Sequence, residues 1–60
     1  MSLYFTSLKT CLTYMAYINK STGYYEIESI SGVVKDSGHT LSEPCYNHLQ
    51  GIIREFIRRS

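Results

Sequence analysis

Residues 14–29 read YMAYINKSTGYYEIES, two alternating stretches on either side of a cluster of turn-forming residues. Apolar side chains at every second position are typical of a β-strand that buries one face. Within the cluster, Gly23 can adopt the positive φ that closing a hairpin often requires. The sequence therefore predicts a β-hairpin whose chain reverses over residues 20–23.

The register of this hairpin follows from matching the apolar positions of its two strands. If the loop spans residues 20–23, Ile18 faces Tyr25 and Ala16 faces Ile27, so the apolar sides coincide. On the other face, this register places Glu26 opposite Tyr17 and Glu28 opposite Met15. One face of the hairpin is predicted to enter a core and the other to remain uncovered.

The strand before the turn is predicted over residues 6–19, because most even positions from Leu8 onward are apolar. The residues Leu8, Cys11, Leu12 and Met15 also fit one face of a helix, which is the alternative for this segment. The abundance of threonine and tyrosine favours the strand, since both suit a half-buried pleated surface.

The strand after the turn is predicted over residues 24–31, where it is ended by Gly32. Residues 35–38, Lys-Asp-Ser-Gly, form a second cluster of turn-forming residues. A short third strand around residues 33–35 or 39–41 would complete a meander, which stabilises a hairpin that is marginal in isolation.

The C-terminal segment is predicted to be a helix from about residue 43 to residue 59. Ser42 suits the N-cap, Glu43 suits the positive end of the helix dipole, and Pro44 is tolerated in the first turn. Seven residues form one apolar arc on a helical wheel: Cys45, Tyr46, Leu49, Ile52, Ile53, Phe56 and Ile57. The predicted fold is α+β, a single domain over residues 1–60 in which an antiparallel β-hairpin or three-stranded meander packs against one C-terminal amphipathic helix.

Length and composition narrow the classes of function. A chain of 60 residues buries a small core, so a second copy of the chain is the expected source of further stability. The net charge of +1 provides no overall field that would gather polyanions. No basic N-terminal region precedes an apolar run and no apolar stretch could span a bilayer, so a cytoplasmic protein without a membrane partner is expected.

No arrangement of residues carries the signature of a catalytic or cofactor site. Cys11, His39, Cys45 and His48 are the residue types of a zinc site, but only the last two are close in sequence. The simpler interpretation is that Cys45 is a small core residue, His48 lies at the rim of the apolar arc and His39 is a solvated loop residue. We therefore expect no enzymatic activity, no cofactor and no bound metal.

The uncovered face of the hairpin is the best candidate for a binding site. Tyrosine and methionine are enriched at protein interfaces, and glutamates can select a basic partner. The candidate partner-binding residues are Met15, Tyr17, Tyr24, Glu26, Glu28 and Ile30. They predict a small protein-binding module, an inhibitor, antitoxin-like protein or adaptor, that acts as a homodimer.

Nucleic-acid binding through the helix is the alternative. Arg54, Arg58 and Arg59 lie on its solvent side or edge, where they could contact phosphates. The same arginines also complement the negative end of the helix dipole without any ligand.

Overall fold

The protein folds into an antiparallel sheet and one helix, as seen in a computed structural model that describes residues 1–40 and 45–59. The elements are β1 (Ser2–Ser7), β2 (Leu12–Ile18), β3 (Tyr24–Ser29), β4 (Val34–His39) and α1 (Tyr46–Arg59). The four strands form a sheet in the order β1-β2-β3-β4, in which each pairs antiparallel with the next. The predicted α+β class with a C-terminal amphipathic helix is confirmed, and the sheet has more strands than predicted.

The hairpin of β2 and β3 has the register predicted from the apolar pattern. Ile18 pairs with Tyr25 and Ala16 with Ile27, and the chain reverses over residues 20–23. Both isoleucines and Ala16 are fully buried, which explains the register, because a slip by one residue would move them all to the other face.

The strand predicted over residues 6–19 is confirmed for residues 12–18, which form β2, and is wrong for the residues before them. Residues 6 and 7 end β1, and residues 8–11 form the loop that leads into β2. Leu8 is 92% exposed rather than part of an apolar face. The helical alternative fails as well, since Met15 lies within β2. Strand β1 was not predicted, because Leu3, Tyr4 and Phe5 are consecutive large residues that hide the alternation.

The loops before and after β2 close in the same way. In each, the backbone N–H of the last loop residue donates a hydrogen bond of 2.8 Å to the carbonyl four residues earlier. That last residue is Cys11 in the first loop, with φ of 59°, and Gly23 in the second, with φ of 79°. A Cβ at position 23 would lie 3.0 Å from the carbonyl oxygen of Thr40, so glycine there also permits a close backbone approach.

The prediction of a turn at residues 35–38 is wrong as well. These residues lie inside β4, and the reversal occurs just before it, around Gly32, with φ of 88°. Strand β4 is at the edge of the sheet, and its pairing with β3 shifts between Ile27 and Glu28. Polar turn-forming residues are tolerated there because an edge strand with a bulge needs neither apolar faces nor a complete ladder.

Helix α1 packs on one face of the sheet and closes the core. Six residues make up the buried core cluster: Tyr14, Ala16, Ile18, Ile27, Leu49 and Ile53. Phe56 of the helix meets the rings of Phe5 and Tyr14 edge-on, with centroids 6.0 and 5.1 Å away. The prediction that the helix covers the even face of β2 is therefore confirmed.

The beginning of the helix differs from the prediction. Ser42, Glu43 and Pro44, to which capping and first-turn roles were assigned, lie outside the described residues. The carbonyl of Cys45 accepts the first helical hydrogen bond, from the N–H of Leu49 at 3.0 Å. Cys45 and Tyr46 are exposed and do not extend the buried part of the arc, so the interpretation of Cys45 as a core residue is wrong.

Candidate functional site

The face of the sheet opposite α1 carries the candidate residues. Because side chains alternate between the two faces of a strand, every second residue of each strand points away from the helix. We call this surface the open face and define it by Tyr4, Met15, Tyr17, Tyr24, Glu26, Glu28 and His39. Its residues come from all four strands, and among the described residues the only helix packs on the other side.

Strand pairing brings together five of the six residues predicted to bind a partner. Tyr17 lies directly opposite Glu26, and Met15 opposite Glu28, as the hairpin register required. Tyr24 lies on the same strand and the same side as Glu26. Ile30 is separate: it follows the end of β3 and is 67% exposed.

Tyr24 is held in place on the open face by contacts on two sides. Its hydroxyl donates a hydrogen bond of 2.9 Å to Oε2 of Glu26. Its ring is tilted against that of His39 in β4, with centroids 5.1 Å apart. The hydrogen bond to Glu26, with smaller contributions from burial and the negative charge of Glu26, raises the pKa of Tyr24. The hydrogen bond orients the carboxylate of Glu26 toward the hydroxyl of Tyr24.

Two residues of the open face, Tyr4 and His39, were not among those predicted to bind a partner. Tyr4 is 70% exposed and lies opposite Met15, on a strand that was not predicted. His39 pairs with Tyr24, and it lies in a strand rather than in the loop that the sequence suggested. Only the correct strand assignment for β1 and β4 could have placed either residue on this face.

A second exposed apolar region lies at one end of the sheet. The loop of residues 8–11 and the reversal around Gly32 lie at the same end of the meander. The large aliphatic residues exposed there are Leu8, Leu12, Ile30, Val33 and Val34. A shallow groove of about 430 Å³ runs between the two loops and is lined in part by Leu12, Ile30 and Val33. Ile30 therefore belongs to this end rather than to the open face.

The three arginines of the nucleic-acid alternative differ in their contacts. Arg58 pairs with Glu55 one helical turn earlier, and Nε of Arg58 donates to Oε2 of Glu55 at 3.3 Å. This hydrogen bond lowers the pKa of Glu55. Arg59 donates to Oδ2 of Asp36 in β4 at 2.8 Å. Only Arg54 has no ion pair within the described part of the chain, so two of the three charges are already balanced.

The cysteines and histidines do not form a common site. Cys11 and Cys45 are exposed free thiols. His48 shares a hydrogen bond of 2.8 Å between its Nε2 and Oγ1 of Thr40, and His39 contacts Tyr24 instead. Over residues 1–40 and 45–59, no group of three or more His, Cys, Asp or Glu side chains is arranged to hold a metal ion.

Comparisons of the chain with protein-family models, with curated proteins and with solved structures find no match. Within the described residues, no helix has the length and apolarity needed to cross a membrane.

Proposed function

We propose that this chain is a small non-enzymatic protein-binding module, an inhibitor, antitoxin-like protein or adaptor, that acts as a homodimer in the cytoplasm. The observation that carries the proposal is the open face, where tyrosine, methionine and two glutamates lie side by side on a surface that α1 does not cover. Tyrosine and methionine are enriched at protein interfaces relative to the rest of the surface, which favours a binding role for this face.

The arrangement favours a partner with lysine or arginine beside an apolar group. Glu26 and Glu28 supply negative charge, and Tyr17 and Tyr24 supply amphipathic contact area at low entropic cost. The hydrogen bond from Tyr24 to Glu26 reduces the ordering that binding requires, since both side chains are already oriented.

The proposal is tested by selecting binders from a random peptide library displayed on phage and measuring their affinity by fluorescence polarisation. We expect the selected peptides to be enriched in lysine and arginine. The Tyr17→Ala/Tyr24→Ala variant should remain folded by circular dichroism and bind at least about tenfold more weakly, since anchor tyrosines contribute ~2 kcal/mol or more at interfaces. Leu8→Ala, which removes an exposed apolar side chain outside the open face, should bind like the wild type.

Two outcomes would overturn the proposal. Unfolding of the double variant would mean that the tyrosines belong to the core, and unchanged peptide affinity would mean that the open face is not the site.

The nucleic-acid alternative predicts a different result with a labelled oligonucleotide. Affinity would fall steeply with salt, and the salt dependence would become weaker in Arg58→Ala. The pairing of Arg58 with Glu55 and of Arg59 with Asp36 counts against this outcome.

A further inference from the structure

The two edges of the sheet differ in how well they are protected against pairing with another strand. Strand β4, at one edge, contains Lys35 and Asp36 and has an irregular register with β3. Charges and bulges of this kind are the usual devices that prevent edge-to-edge association. Strand β1, at the other edge, reads Ser-Leu-Tyr-Phe-Thr-Ser and has no charge, no proline and a regular register along its whole length.

The hydrogen-bonding pattern identifies which groups β1 presents at its free edge. Met1 and Ile18 exchange two main-chain hydrogen bonds, of 2.9 and 3.1 Å. Antiparallel ladders alternate between bonded and non-bonded pairs, so Leu3, Phe5 and Ser7 bond to β2. The N–H and C=O groups of the intervening residues, Ser2, Tyr4 and Thr6, therefore point away from the sheet.

These outward groups are self-complementary about a two-fold axis. If β1 of a second copy pairs antiparallel with Tyr4 opposite Tyr4, then Ser2 of each copy lies opposite Thr6 of the other. Each of these pairs can exchange two main-chain hydrogen bonds, because all their N–H and C=O groups point toward the seam. Like charges that face each other across a self-paired edge are destabilising. Strand β1 contains no charged residue, so its self-pairing avoids this penalty.

Side chains next to the edge add apolar contact. In this register Leu3 of one copy neighbours Phe5 of the other on the helix side of the sheet. A groove of about 310 Å³ runs between β1 and α1 on that side, lined in part by Leu3, Phe5, Tyr46 and Ile53. Pairing at β1 would bring apolar side chains of the second copy to this groove, and a chain of 60 residues gains most from such shared burial.

We infer that the edge of β1 is a homodimer interface, at which two copies join their sheets about a two-fold axis through Tyr4. This inference rests on the homodimer in the proposed function and names its surface. Because β1 pairs at its edge, the open faces of both copies remain uncovered and lie on the same side of one eight-stranded sheet.

The experiment replaces Tyr4 by opposite charges. Tyr4→Lys and Tyr4→Glu should each be monomeric by sedimentation velocity across a dilution series in which the wild type is dimeric, since like charges then meet on the two-fold axis. An equimolar mixture of the two variants should restore a dimer with twice the mass of one chain. Ser37→Lys, which introduces the same positive charge on the opposite edge strand, should leave the dimer intact.

A second measurement does not depend on charge. With Cys11 and Cys45 replaced by serine, Tyr4→Cys should form a disulfide-linked dimer under mild oxidation, because directly opposite residues lie within disulfide range. Ser37→Cys in the same background should stay uncrosslinked.

A monomeric wild type, a Tyr4→Lys dimer, or a mixture of charge variants that stays monomeric would each overturn the inference. The Tyr17→Ala/Tyr24→Ala variant should still dimerise, so failure of the interface and failure of the binding face can be told apart.

Discussion

The two faces of the sheet are built from alternate residues of the same strands, yet they differ sharply in how far their side chains are buried. On the covered face, Ala16, Ile18 and Ile27 are fully buried against α1. On the open face, their direct neighbours Tyr17 and Glu26 remain partly exposed. A single alternating pattern therefore specifies both the core that stabilises the fold and the face that α1 leaves uncovered.

This difference separates positions by what a substitution should affect. Changes on the covered face remove packing and should act on the free energy of unfolding. Changes on the open face remove side chains that contact water or a partner, and should act on binding with little cost in stability.

The largest expected difference in the free energy of unfolding is between substitutions at two adjacent residues that point to opposite faces. Ile27→Ala should lower the free energy of unfolding by about 3 kcal/mol, because it leaves a cavity under α1. Glu26→Ala, one position earlier, should lower it by less than about 1 kcal/mol. Urea denaturation of both variants measures the difference. Equal losses would show that the two faces are not energetically distinct.

A smaller change in the free energy of unfolding, of opposite sign, is expected at Ser7, a buried polar residue of the covered face. Ser7 is fully buried, and its hydroxyl has no hydrogen-bond partner in the described part of the chain. Ser7→Ala should raise the free energy of unfolding by about 1 kcal/mol, because a buried hydroxyl without a partner costs solvation energy. Urea denaturation is again the measurement, with Ser2→Ala on the open side of the same strand as the control. Destabilisation by Ser7→Ala would mean that the hydroxyl is hydrogen-bonded in solution.

The smallest effect concerns the ionisation of Tyr24. The hydrogen bond to Glu26 raises the pKa of Tyr24, so Glu26→Gln should move that pKa down toward its ordinary value of about 10. Because the pKa is raised in the folded state, the hydrogen bond from Tyr24 to Glu26 stabilises the fold in full below about pH 10. This stabilisation is lost as the pH rises through the pKa of Tyr24 in the folded state.

An NMR titration of the tyrosine ring carbons measures this shift residue by residue. Glu28→Gln removes the other carboxylate of the open face and should leave the pKa of Tyr24 unchanged, since Glu28 is not among its causes. An equal shift in both variants would mean that general negative charge, rather than the hydrogen bond, sets the pKa.

The parts of the fold that the sequence predicts are those where packing imposes a pattern. The central hairpin and the buried face of α1 follow from period two and from helical spacing, because each buries one side only. The edge strands escaped prediction for physical reasons. In β1, Tyr4 and Phe5 are adjacent aromatics on opposite faces, and in β4 the polar residues Asp36 and Ser37 are tolerated because one side of the strand is unpaired.

The candidate site was predictable to the same extent as the strands that form it. Met15, Tyr17, Tyr24, Glu26 and Glu28 come from the central hairpin, and their grouping follows from its register. Tyr4 and His39 come from the edge strands and could not be placed without them. The position of Ile30 was missed because the chain turns immediately after β3, so strand alternation no longer decides where its side chain points.

The strand order has a consequence for how quickly the chain can fold. Each strand pairs with its immediate neighbour in sequence, so every hairpin can close through a short loop before the rest of the sheet exists. Domains dominated by such local pairings fold faster than sheets with distant strand partners, since less loop-closure entropy is lost before contacts form. We expect rapid folding in which hairpins between neighbouring strands form early and the docking of α1 completes the core.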